Sequence, residues 1–170
     1  IWWRWIRWFR NCSDCISCMI HIHNLEVENK EDIKNFLKQS NIFSSHKLQT
    51  GNALSTYELY GKLFKQFDVF DKLSKSITDI INIPFMDMWA NVNPPGTNVK
   101  PHNHFSEKHP NSLVGVYYLN KPVNSGNLII EGTEIEINED DLIFFKDVDM
   151  HWSQTNESTQ DRVAISFNML

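Results

Sequence analysis

Residues 99–119 read VKPHNHFSEKHPNSLVGVYYL, and the first half of this stretch places two imidazoles two positions apart at the entry to a strand. Residues i and i+2 of an extended chain point to one face, so His102 and His104 reach toward the same point. Surface strands carry such pairs by chance and a buried histidine is commonly no more than a hydrogen-bonded one, so the pair by itself reads equally as strand decoration or as half of a metal site. A third histidine, His151, lies in DMHWSQT beside another strand-like run, and Arg162 opens RVAISFN further on. Alternation along that run sends Arg162, Ala164 and Ser166 to one face and Val163, Ile165 and Phe167 to the other. An arginine turned into a β-rich interior needs an anion, because an unpaired buried charge is costly. A bidentate fork on a carboxylate satisfies it. If the strands flanking the polar loop 156–161 pair with each other, Arg162 stands about 10 Å along from His151, at about 3.3 Å per residue. That separation suits a small dicarboxylate with one end on a metal and the other on the guanidinium.

Outward from this stretch the texture is β throughout the second half. After Pro84 come FMDMWANV, a proline-glycine loop at 93–96, the H-x-H segment, SLVGVYYL, NLIIEG, TEIEI, LIFFK, DMHWSQT and RVAISFNML. Short strands separated by turn residues at this spacing predict a sandwich or barrel. The expected fold is therefore mainly β with buttressing helices, a double-stranded β-helix of the jelly-roll or cupin-like kind. The helices belong to the first half, 19–84, and the β-helix core to 85–170, together forming one domain over 19–170. Ile33, Phe36 and Leu37 recur at helical spacing. Ser55 with Glu58 reads as a capping box opening one or two helices whose apolar positions run from Leu59 to Ile81. MIHIHNLEV alternates and reads as an edge strand carrying a second pair, His21 and His23, with no arginine or tyrosine set arranged around it.

The chain has 170 residues, 41% hydrophobic, enough for one respectable core. A net charge of -5, with both signs scattered, argues against a nucleic-acid groove or an anionic membrane surface as partner. A small molecule, peptide or protein is the expected partner. No apolar run approaches the about 18 residues of a membrane span. Composition leaves the oligomeric state open, a homodimer included. The three cysteines, Cys12, Cys15 and Cys18, crowd one end, which speaks against a disulfide-stapled fold and for a reducing cytoplasm. Residues 1–18, IWWRWIRWFRNCSDCISC, are unlike the rest and are expected to be an extension outside the domain. An interfacial anchor and a cysteine metal site are the other readings of that segment, the latter short of a fourth cysteine.

The ordered series Trp89 and Asn91, His102 and His104, Gly115 to Tyr118, His151, and Arg162 with Ser166 to Asn168 resembles the iron(II)/2-oxoglutarate oxygenases. The likeness is to the prolyl-hydroxylase-like branch, and within it to small oxygenases of bacteria and phages. It covers about residues 40–170, and its specificity lies in the order of the parts. It implies a dioxygenase in which His102, His104 and His151 hold Fe(II) as catalytic metal ligands. Arg162, Tyr118, Ser166 and Asn91 would then bind 2-oxoglutarate, the cosubstrate decarboxylated to succinate as dioxygen hydroxylates a substrate. One departure stands out. The family's triad is two histidines and a carboxylate, and His104 occupies the carboxylate's place, leaving the metal one unit more positive. Glu107 and His109 are expected on a solvated loop. Two rivals share the architecture: a cupin-type three-histidine metalloprotein without keto acid, suggested by Gly96, the H-x-H and Glu107, and a non-catalytic jelly-roll binding or virion protein.

Overall fold

A computed structural model describes residues 20–170 together with a two-residue strand, β1 (Trp3–Arg4). The readings of segment 1–18 as extension, anchor or cysteine site otherwise fall outside the described residues. The chain continues through β2 (His21–Asn24), α1 (Lys30–Gln39), β3 (Leu54–Ser55), α2 (Leu63–Gln66), a 3-10 turn at Asp68–Phe70 and α3 (Asp71–Ile81). The strands β4 (Phe85–Asn93), β5 (Leu113–Asn120), β6 (Leu128–Ile130), β7 (Thr133–Ile135), β8 (Asp141–Lys146), β9 (His151–Ser153) and β10 (Arg162–Met169) follow. They form a seven-stranded antiparallel sheet, ordered β1-β2-β8-β5-β10-β4-β3, and a three-stranded sheet, β7-β6-β9. This is the mainly β, jelly-roll arrangement that the sequence predicts.

The large sheet is covered on both faces, and strand parity sorts its side chains into two cores. On one face Met88 and Ala90 of β4, Tyr117 and Leu119 of β5, Leu142 and Phe144 of β8, and Ile165, Phe167 and Met169 of β10 pack with the helices. The helices contribute pairs at i and i+4, Ile33 with Leu37 and Leu73 with Ile77, all buried. On the other face Val114, Val116 and Tyr118, with Ile143, Phe145 and Ala164, meet Leu128, Ile130 and Ile135 of the small sheet. The remaining residues of that inner parity, Trp89, Asn91 and Asn93 of β4 and Arg162, Ser166 and Asn168 of β10, line a cavity between the sheets.

Three sequence expectations are corrected. Ser55 caps no helix: it lies in β3, opposite Asn91 of β4, and its Oγ donates to the Ala90 carbonyl at 3.4 Å, so tertiary pairing overrides the local capping signature. β2 is not an outer edge, since β1 pairs with it through Trp3↔His23 and Arg4↔Ile22. Finally, β9 and β10 do not pair. β9 joins β6 in the small sheet, while β10 runs between β4 and β5 in the large one. Loop 156–161 therefore crosses between sheets rather than closing a hairpin.

Gly115 shows how tightly the helix-side core closes. It stands opposite Phe167 on the neighbouring strand, and the Phe167 ring occupies the space a Cβ at position 115 would need. Gly115→Ala should therefore lower stability by about 1–3 kcal/mol, the usual cost of overpacking, in urea unfolding followed by circular dichroism. A midpoint equal to that of the parent chain would show that the ring has room to move.

Candidate metal and dicarboxylate site

Segment 96–102 runs antiparallel to 151–156 and brings the histidines together. Gly96 N–H donates to the Asn156 carbonyl at 2.7 Å and Asn156 N–H to Thr97 at 2.9 Å, and Ser153 N–H meets the Val99 carbonyl at 3.2 Å. The ladder ends in a bridge between His102 and His151, each N–H donating to the other's carbonyl, at 3.0 and 2.9 Å. Two positions on, His104 N–H donates to the Asp147 carbonyl at 2.8 Å, fixing the second histidine of the pair. One ring nitrogen from each of His102, His104 and His151 lies within 4.8 Å of the others, a spacing that one ion can span.

The orientation of the rings matches this use. His102 Nδ1 lies 2.8 Å from the Lys100 carbonyl, His151 Nδ1 3.0 Å from the Asp149 carbonyl, and His104 Nδ1 2.6 Å from Asn168 Oδ1. All three partners are acceptors, so each Nδ1 carries the proton and each Nε2 keeps its lone pair. Phe145 meets the His151 ring edge-on at 4.6 Å and Trp89 lies 5.6 Å from His104, giving the cluster an aromatic wall. Burial pushes all three imidazoles below their ordinary value, His104 to about 4 and His151 to about 3. Neutral imidazole is the metal-binding form.

Arg162 lines the same cavity, of about 320 Å³. It is 2% exposed, and among the described residues no carboxylate pairs with it. Nη1 donates to the carbonyls of Ser125 and Gln154, and Nη2 to Ser153 Oγ at 2.7 Å. These are neutral acceptors. They hold the guanidinium in place through three of its five N–H groups and leave its charge uncancelled. Burial lowers the arginine's pKa, and Tyr118, buried beside it, opposes that shift. Burial also pushes the Tyr118 hydroxyl well above its ordinary value, so it remains a donor. Asn91 Nδ2 donates to Ser166 Oγ at 3.0 Å, and both side chains line the cavity.

The cavity thus gathers His102, His104, His151, Arg162, Tyr118, Ser166 and Asn91. Glu107 and His109 are exposed and outside the histidine cluster. Arg162 reaches Gln154 and Ser153 from the facing sheet, so the about 10 Å offset along a shared hairpin does not describe their relation. Three residues take roles that the sequence does not assign. Asn168, part of the motif that opens at Arg162 and six positions along β10 from it, is the partner of His104. Ser153, which also accepts from Val99 N–H, had the parity of His151. Gln49, whose Nε2 donates to the Leu54 carbonyl and to Asn91 Oδ1, comes from an irregular stretch with no periodic signal.

No family model matches the sequence, and no curated protein does. Solved structures do. A prolyl hydroxylase from Trichoplax adhaerens, in complex with a hypoxia inducible factor oxygen degradation domain peptide, superposes with a TM-score of 0.68 at 17% identity, covering 89% of this chain and 83% of its own. The viral collagen prolyl hydroxylase of Paramecium Bursaria Chlorella virus-1 gives 0.64 at 16%, covering 96% and 97%. HygX from Streptomyces hygroscopicus, solved with nickel and 2-oxoglutarate bound, gives 0.66 at 10%, covering 88% and 82%. The fold is that of the 2-oxoglutarate/Fe(II) oxygenases, and the histidine triad stands on it.

The depressed imidazoles make stability depend on acidity in a stated direction. The unfolded chain takes up protons on these histidines near about pH 6.5, whereas the folded cluster resists them until about pH 4 or below. In that window the unfolded state binds more protons, so stability falls as pH falls. Thermal melts of the metal-free chain should lose Tm steadily from about pH 7 to about pH 5, and less steeply for His104→Gln with His151→Gln. Parallel slopes for the two chains would show that the cluster does not carry the effect.

Proposed function

We propose that the chain is an Fe(II)- and 2-oxoglutarate-dependent dioxygenase that hydroxylates a peptide or protein side chain. The observation that carries this reading is the buried guanidinium without a carboxylate, in one cavity with three imidazoles that share a focus. A metal site alone needs no such arginine, and the neutral acceptors around Arg162 do not cancel its charge. A dicarboxylate fills both needs.

His102, His104 and His151 would hold the iron through Nε2, with the Lys100, Asp149 and Asn168 oxygens fixing the rings. Three protein ligands would leave room at such a metal for the keto acid and dioxygen. When bound, iron(II) with 2-oxoglutarate supplies oxidative decarboxylation, one oxygen atom of dioxygen entering succinate and the other a substrate C–H bond, with release of carbon dioxide. Arg162, held by Ser125, Gln154 and Ser153, would receive the distal carboxylate, and Tyr118 would donate its hydroxyl to the same group. Ser166 and Asn91 would close the cosubstrate's side of the cavity. Val114, Val116, Leu128 and Ala164 line the same cavity and would shield its carbon chain from water. At the mouth Tyr57 and Phe105 are 42% and 54% exposed, an aromatic rim on which a substrate side chain can settle. No helix among the described residues is long and apolar enough to cross a membrane.

Anaerobic titration with iron(II) and then 2-oxoglutarate tests this directly. The expected result is the weak visible charge-transfer band of a metal-chelated keto acid, absent in His102→Ala. Arg162→Lys, which keeps the charge but loses the fork, should weaken keto-acid binding about 10- to 100-fold while iron still binds. Keto-acid affinity indifferent to that substitution would favour a cupin-type three-histidine centre, a reading that His104 in the carboxylate's place supports. A parent chain that binds no metal would leave a jelly-roll binding protein.

A further inference from the structure

The three histidines are not supported alike. His102 and His151 lean on backbone carbonyls, whereas His104 leans on a side chain with a carboxylate behind it. Asn168 of β10 stands directly opposite Asp87 of β4 in the strand register, both on the inner parity of the sheet. Asn168 Oδ1 accepts the Nδ1 proton of His104 at 2.6 Å, and Asn168 Nδ2 donates to Asp87 Oδ2 at 3.3 Å. The amide is therefore oriented from both ends and cannot be reversed without facing Nδ2 toward a proton and Oδ1 toward a carboxylate. Beyond it, Asp87 lies 3.6 Å from Lys62, an exposed contact that screens its charge only weakly.

We propose that Asn168 and Asp87 are positioning residues forming a relay that passes negative charge to the metal through His104, restoring part of what an imidazole in the carboxylate's place removes. The inference rests on the reading that the three imidazoles hold a divalent metal. Hydrogen bonding to a carboxylate polarises the Asn168 amide and makes its Oδ1 a stronger acceptor. The stronger bond to Nδ1–H raises electron density on the far ring nitrogen, which makes His104 a better donor to the metal. Asp87 also acts on His104 through space, as does the buried Asp147, whose carboxylate accepts from Ser112 Oγ at 3.1 Å. What distinguishes the relay is that its effect depends on the order of groups along the hydrogen-bond chain, and Asp147 stays constant in every variant.

The test compares the parent chain, Asp87→Asn, and the exchange variant Asp87→Asn with Asn168→Asp, which places the carboxylate directly on His104 and the amide behind it. Each is titrated anaerobically with iron(II) and separately with nickel(II) by calorimetry, and the Fe(III)/Fe(II) potential is measured in the absence of keto acid. Asp87→Asn is isosteric and is expected to bind both metals about tenfold more weakly, with a raised potential. The exchange variant is expected to bind at least as tightly as the parent, with a lowered potential. A structural role for the pair would not make the double substitution better than the single one. Equal affinities and potentials for the parent and Asp87→Asn, or an exchange variant no better than Asp87→Asn, would overturn the relay while leaving the metal site standing. A parent chain that binds neither metal would sink the oxygenase reading and the relay together.

Discussion

The candidate site depends on one backbone bridge, the reciprocal pair of hydrogen bonds between His102 and His151. Metal ligands that are distant in sequence are ordinarily brought together at the expense of chain entropy, and a site assembled by the ion alone would draw that cost from its binding energy. Here the ladder from Gly96 to His102 against His151 to Asn156 has already closed the loop. The Nδ1 contacts then fix the rings. An ion would meet a triad whose position is set by main-chain geometry and whose tautomers are set by carbonyl and amide oxygens, so preorganisation does not depend on side-chain packing alone.

The second constraint is parity in β10. Its alternate residues serve two different environments, the helix-side core through Ile165, Phe167 and Met169, and the polar cavity through Arg162, Ser166 and Asn168. A slip of one residue would push a guanidinium and two polar side chains into the apolar helix layer and turn Phe167 toward the cavity. The penalty of burying those groups unpaired makes the register unambiguous. The contact of Phe167 with Gly115 locks it from the other side. Specificity of the fold and placement of the site are thus the same fact about one strand.

Much of this was legible before any coordinates. The strands after Pro84 follow from alternation and turn residues, and the inward set Arg162, Ala164 and Ser166 follows from parity alone. The H-x-H spacing put His102 and His104 on one side, although residues 99–104 form no regular strand and are held by bridges instead. What failed was adjacency. Two strands joined by a short polar loop are usually partners, yet loop 156–161 passes between sheets, held by Asn156 through its Nδ2 bonds to the carbonyls of Asn93 and Gln160. Ser55 misled for a related reason: its capping box is a local pattern, and the pairing of β3 with β4 is a non-local one that prevails. Gln49 and the Ser125 carbonyl carry no local signature at all, since their positions exist only once the sheets have closed.

Closure of those sheets also explains why a cation can stay buried without an acid. Three neutral acceptors hold Arg162, each contributing a hydrogen bond but none cancelling its charge, while the imidazoles opposite are kept neutral by burial. The lining of the cavity therefore contributes one uncompensated positive charge, and a divalent ion on the triad would add two more with no carboxylate ligand to offset them. Each charge makes an anion between them more favourable, and inside the cavity their effects are screened less than in bulk water. A dicarboxylate that touches both must then bind more tightly when the metal is present. By linkage the metal must bind more tightly when the dicarboxylate is present, by the same factor. An imidazole where a carboxylate would stand would strengthen this coupling, because the charge withheld from the protein side would have to come from the dicarboxylate.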